Sequence, residues 1–134
     1  MQNNITILLP TMGRPENIAR QLLYYSSLGW EGKILIGDSS YSAERRAIER
    51  FVSEAQDNLD VSYFFYPKHS HPNSGYCLRD LADEVKTEYC VYTGDDDYLL
   101  PSVLVKCAEF LEHHPEHAAC GSNRLKYILN ERGN

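Results

Sequence analysis

The chain has 134 residues, enough for one domain that buries roughly 65–70% of the surface its unfolded form exposes. Its composition, 43% hydrophobic and 24% charged, is that of an ordinary globular protein. Nineteen Asp and Glu against thirteen Lys and Arg leave a formal net charge of −6, which argues against nucleic-acid binding through a basic face. No stretch nears the ~20 apolar residues of a membrane-spanning helix, and no signal-peptide pattern is seen. Cys77, Cys90, Cys107 and Cys120 are widely spaced, without a CxxC pair, and each falls in an apolar-periodic segment. Buried free thiols in a reducing, cytoplasmic setting are expected.

Short β-rich runs alternate with helical patterns. Ile5 to Leu9 is a continuous apolar run closed by Pro10, as in a strand buried on both faces. Pro15 opens a helix where its missing N–H costs nothing; Ile18, Leu22 and Tyr25 recur at helical spacing and Gly29 ends the segment. Lys33 to Asp38 reads as a second strand, and Ser42 to Ala55 as an amphipathic helix with Ile48, Phe51, Val52 and Ala55 inward. Val61 to Tyr66 is a third strand, its aromatic run Tyr63-Phe64-Phe65-Tyr66 read as core. A polar loop, Lys68 to Ser74, leads into a helix carrying Leu78, Leu81, Ala82 and Val85. Glu88 to Thr93 is a fourth strand. Pro101 starts a helix with Leu104, Cys107, Ala108 and Leu111 on one face, and Ala118 to Ser122 is a fifth strand.

This alternation implies βαβ units: an α/β domain with a mainly parallel sheet and helices on both faces. Ligands in such sheets sit outside the carboxyl ends of the strands, where residues 11–14, 38–40, 68–74 and 95–97 all fall. Residues 1–122 form this domain. Residues 123–134 alternate weakly and end in the turn-rich Asn130-Glu131-Arg132-Gly133-Asn134, the start of a hairpin, so a truncated longer protein is expected.

Asp95-Asp96-Asp97 follows an apolar strand, where adjacent carboxylates repel and desolvation penalises each charge. In a turn leaving the strand the three can fan out, and Mg2+ or Mn2+ is the cation that combines carboxylate and phosphate oxygens. An EF-hand is excluded: counted from Asp95, position six is Leu100 and position twelve is Lys106. Capping of the next helix would account for one or two of the acids. Thr11-Met12-Gly13-Arg14-Pro15 joins a strand to a helix N-terminus, where Gly permits close backbone approach and Arg14 can clamp a phosphate. Asp38 can accept from a ribose or from a uracil imide; the alternative is capping of the following helix. Arg79 can face a diphosphate or pair with Asp80, Asp83 or Glu84. His113, His114 and His117 suit the negative end of a helix, and His69 and His71 lie on the ligand edge. Neither group has the Cys/His spacing of a structural zinc site, and none is expected.

Three segments in order carry a resemblance: Ile-Leu-Leu-Pro-Thr-Met-Gly-Arg-Pro at 7–15, Ile-Leu-Ile-Gly-Asp-Ser-Ser at 34–40, and Lys-Thr-Glu-Tyr-Cys-Val-Tyr-Thr-Gly-Asp-Asp-Asp-Tyr-Leu-Leu-Pro at 86–101. From about Ile5 to Ser122 the chain resembles the N-terminal, nucleotide-sugar-binding half of a family 2 glycosyltransferase with the Rossmann-like GT-A fold. The resemblance implies that Pro10, Thr11 and Arg14 contact the nucleotide, Asp38 the base and Asp95 the ribose. Asp96 would hold Mn2+ or Mg2+, with Asp97 sharing that role. Arg79 stands where the family has its Ala-Arg-Asn stretch, altered here to Cys77-Leu78-Arg79-Asp80, and Gly94 stands where many members carry an acid. The implied reaction is metal-dependent transfer of sugar from a nucleotide-diphosphate sugar, expected to be a UDP-sugar, to an acceptor hydroxyl with inversion. The general base would lie beyond Asn134, so the chain is expected to bind donor and transfer poorly. The alternative is a non-catalytic nucleotide-binding module acting through a partner. A receiver-like signalling domain fits worse, since its acid pair follows the first strand.

Overall fold

The computed structural model describes residues 1–126. A short 3-10 turn, Gln2–Asn4, precedes β1 (Ile5–Thr11), α1 (Pro15–Ser27), β2 (Lys33–Asp38), α2 (Ser42–Ala55), β3 (Val61–Phe65), α3 (Ser74–Asp83), β4 (Tyr89–Tyr92) and α4 (Pro101–His113). The sheet has the order β3-β2-β1-β4 and is parallel throughout, with Leu8 opposite both Leu35 and Tyr92. The α/β fold class expected from the alternation is the one found.

Period-two alternation sends β1 to two cores. Ile5, Ile7 and Leu9 pack with Ile34 and Ile36 against Ile18, Leu22 and Tyr25 of α1, Ile48 and Val52 of α2, and Leu104 and Ala108 of α4. Leu8 and Leu35 face the other way, onto Cys77 and Leu81 of α3. Three helices therefore cover one face and α3 alone the other. α3 lies close because β2 has no side chain at Gly37, where an added Cβ would sit 2.3 Å from Cys77 Sγ and 3.1 Å from Leu81 Cδ1.

Pro10 does not close β1 but lies inside it, opposite Gly37. The Leu8 carbonyl accepts from Thr93 N on the β4 side and the Thr11 carbonyl from Ser39 N on the β2 side. Strand alternation puts Pro10 with Leu8, facing β4, whose last paired residue is Tyr92. The missing N–H thus breaks no ladder bond.

Two further expectations are corrected. Ala118–Ser122 is not a strand: these small residues are exposed, bring little apolar surface to a core, and among the described residues β4 ends the sheet. The four cysteines are free, but only Cys77 is buried. Cys90 and Tyr92 alternate onto the sheet face that α3 leaves open, and Tyr92 is 69% exposed. The hairpin expected at residues 130–134 lies outside the described residues. No helix among the described residues is long and apolar enough to cross a membrane.

Candidate functional site

The strand ends are stitched together before any ligand is considered. Gly13 takes a left-handed φ of 69°, and its N–H donates to Ser40 Oγ over 2.7 Å, joining the β1 loop to the β2 loop. Arg14 then caps α1, with Pro15 in the first helical turn. Beyond β4 the chain reverses in a tight turn closed by Asp97 N donating to the Gly94 carbonyl at 3.2 Å.

That turn divides the acidic triplet. Asp95 points inward: its Oδ2 accepts from Thr11 Oγ1 at 2.7 Å, and its Oδ1 from Arg14 Nη1 at 3.0 Å and Asn17 Nδ2 at 3.4 Å. Its side chain is 7% exposed, against 67% for Asp96. A guanidinium and two neutral donors compensate the buried charge, as desolvation requires. Asp96 points to solvent, with Oδ2 at 3.6 Å from the same guanidinium, and Asp97 is exposed beside it. Both acids lean over Gly94, where an added Cβ would be 3.0 Å from Asp96 Oδ1 and 3.5 Å from Asp97 Oδ2. A side chain at that position would have to share this space with the two carboxylates. Two exposed carboxylates suit a hard divalent cation that keeps coordination sites for phosphate.

The acid turn is held by α1 through residues that sequence reasoning missed. Gln21 is fully buried, and its Nε2 donates to the carbonyls of Asp95 at 3.3 Å, Gly94 at 3.5 Å and Asp97. Carbonyl partners fix the amide orientation, leaving Oε1 buried without a partner. Tyr24 Oη donates to the Leu99 carbonyl at 3.1 Å, and Leu99 N donates to Tyr25 Oη at 3.4 Å. Burial pushes the Tyr25 phenol up to about 12. Asn17, Gln21 and Tyr25 recur at i, i+4, so one stripe of α1 grips residues 94–99. The available signal was Gln21 itself, a polar residue inside the apolar stripe of Ile18, Leu22 and Tyr25.

The other candidates fall into two groups. Asp38 is fully buried beside the cluster, but its carboxylate is engaged: Oδ1 accepts from Ser40 N and Oδ2 from Tyr63 Oη, each at 2.8 Å. Burial first, then this bond to Asp38, raises the Tyr63 phenol well above its ordinary value. Next to it Ser39, Ser40, Tyr41, Phe65, Pro67, Lys68 and His69 line a cavity of about 490 Å³, within the range of small-molecule sites. Arg79 stands apart from the acids. Its Nε is 2.6 Å from Asp80 Oδ1 and its guanidinium lies over Tyr76. Asp80 also meets His71 Nε2 at 2.6 Å, so Arg79 and His71 together pull its pKa down to about 2.

No protein-family model and no curated protein matches the sequence. Among solved structures, the chain is similar to S. aureus TarS, at 16% identity and a TM-score of 0.63 over 83% of this chain and 20% of that one. It is likewise similar to S. aureus TarS 1-349, at 19% identity and a TM-score of 0.61 over 83% of this chain and 33% of that one. The chain thus spans a third or less of the structures it matches. At these identities the likeness is one of fold alone, a parallel α/β sheet flanked by helices.

Proposed function

We propose that the chain is the donor-binding part of a metal-dependent glycosyltransferase of the family 2 type, taking a nucleotide-diphosphate sugar, with UDP as the nucleotide. The observation that carries this reading is the division of the triplet. One acid is locked inward by Thr11, Arg14 and Asn17, and two stand exposed at the carboxyl edge of a parallel sheet, where such folds bind ligands. The fold likeness to TarS supports it at the level of architecture.

In this reading Asp96 and Asp97 hold Mn2+ or Mg2+, which when bound supplies charge neutralisation for a departing diphosphate. Arg14, more than half exposed while paired with Asp95, reaches the phosphates with its remaining donors. The cavity beside Ser39, Ser40 and Phe65 takes the base, with Thr11, next to Pro10 on β1, and Asp38 holding the Ser39-Ser40 backbone from behind. Asp38 acts there by ordering the Ser39-Ser40 backbone. Asp95 fixes the register between the β1 loop and the acid turn and leaves its outer edge toward the ribose. Arg79 is held by Asp80 and over Tyr76 and is left out of this reading. The acceptor hydroxyl needs a base within hydrogen-bond reach, and the acids placed here are already committed. Sugar transfer with inversion to an acceptor therefore requires a base that these acids do not supply.

Calorimetry of UDP binding with Mn2+ and with EDTA tests the reading. Binding in Mn2+ that disappears in EDTA is expected, and no UDP binding under either condition overturns it. Robust transfer by the purified chain would show that another of its own groups serves as the base. Donor binding by a full-length protein that never transfers sugar would favour the non-catalytic nucleotide-binding module.

A further inference from the structure

A second group of ligating side chains lies far from the acid turn. α4 begins just after that turn and has 13 residues, so its C-terminus is about 20 Å away, at the opposite end of the sheet. Pro115 disfavours helical backbone at His114, and α4 stops there, at φ −130° and ψ 69°. The next four residues, His114-Pro115-Glu116-His117, form a turn closed by His117 N donating to the His114 carbonyl at 2.9 Å, with proline at the second position, which favours it.

This turn brings the two imidazoles to one carboxylate. His114 Nδ1 and His117 Nδ1 each lie 3.2 Å from Glu116 Oε1, and the ligating atoms of all three residues lie within 4.8 Å of one another. Phe110, one turn back on α4, stacks on His114 at 4.3 Å and meets the edge of His117 at 5.4 Å. One aromatic ring thus orients both imidazoles. His113 does not join them: its Nδ1 faces the Glu109 carbonyl at 2.7 Å.

We propose that His114, Glu116 and His117 form a binding site for a first-row transition-metal cation, Zn2+ in the first place, with the fourth position open to water. Tetrahedral zinc with ligand bonds of about 2.0–2.1 Å has ligand–ligand edges of about 3.3 Å, and the two 3.2 Å separations match that edge. Two imidazoles and one carboxylate form a donor set that suits Zn2+, Ni2+ or Cu2+ and discriminates against Mg2+. The sequence reading set zinc aside because the spacing of His113, His114 and His117 is not that of Cys/His sites. Glu116 and the turn supply what that count left out. Metal here would clamp the Pro115 turn to the end of α4. The site is independent of the donor-binding reading.

The test is calorimetric titration of the tag-free chain with Zn2+ in excess Mg2+, which occupies carboxylate-oxygen sites without competing for imidazole. One zinc per chain is expected, with affinity lowered about tenfold or more in His117→Ala and unchanged in His113→Ala. Co2+ should give the absorption bands of tetrahedral coordination in the wild type and lose them in His114→Ala. These side chains are half-exposed, so the variants fold. Absence of zinc binding, an unaltered affinity in His117→Ala, or equal losses in His113→Ala and His117→Ala would each overturn the site.

Discussion

Thr11 and Asp95 are 84 positions apart in sequence, and the Thr11 hydroxyl donates to the Asp95 carboxylate over 2.7 Å. The bond ties the end of β1 to the turn after β4, its neighbour in the sheet. The Asp95 charge is buried, so the tie belongs to the stability of the domain as well as to its site. Thr11→Val keeps the shape and removes the donor. It is expected to cost about 1–3 kcal/mol in urea unfolding, because the carboxylate loses a buried partner. A loss within error would show that Arg14 and Asn17 suffice.

Asp96 has the opposite balance. It is exposed and adds to the local negative charge beside Asp95 and Asp97, with Arg14 its one ion-pair partner among the described residues. Asp96→Asn is expected to leave the stability of the ligand-free chain within about 0.5 kcal/mol of wild type, or slightly higher, while abolishing manganese-dependent UDP binding. A marked fall in melting temperature would assign Asp96 to the scaffold.

Gln21 has no counterpart on the surface. Gln21→Leu keeps the volume in α1 but leaves the carbonyls of Gly94, Asp95 and Asp97 without their shared donor. The expected loss is about 1–3 kcal/mol, accompanied by weaker UDP binding and faster amide exchange through residues 94–99. Unchanged exchange in that turn would show that the tyrosines of α1 hold it alone.

The cysteines separate by environment. Burial, reinforced by the nearby charges of Asp80 and Asp38, pushes the Cys77 thiol up to about 12, so at mildly alkaline pH it carries almost no thiolate. A disulfide reagent should modify exposed Cys90 and Cys120 promptly and Cys77 only after denaturant is added. Rapid labelling of Cys77 in the native chain would mean that α3 opens readily over Gly37.

Asp80 gives a pH signature. Its bonds to Arg79 and His71 lower its folded pKa from 3.8 to about 2. A depressed folded value means the stabilisation is fully present above 3.8 and is lost as pH falls through about 2. A carboxyl NMR titration of Asp80 should show its midpoint near the lower value, and Arg79→Ala together with His71→Ala should return it toward the ordinary one. A midpoint at the ordinary value in the wild type would show that the pair is not formed in solution.

The elements along the chain were legible because each is a local periodicity: the apolar runs of β1 and β2, the helical spacing of Ile18, Leu22 and Tyr25, and the prolines that open α1 and α4. The run from Ala118 to Ser122 misled because its small residues suit a strand locally, whereas pairing is decided by a neighbour and by apolar area to bury. The collection of Thr11, Arg14, Asp38 and the acids at one edge also followed from the sequence, since parallel connections return every strand end to the same side. The roles within the triplet did not. Asp95, Asp96 and Asp97 are chemically alike, and only the turn closed between Gly94 and Asp97, together with donors from β1 and α1, makes one a buried tie and leaves the others exposed. Arg79 was open between a ligand and a surface pair, and it lies on Asp80, its neighbour in sequence. Sequence determined which side chains could carry charge and where the chain would turn. Structure decided which of those charges face water, because burial is a property of neighbours brought from distant parts of the chain.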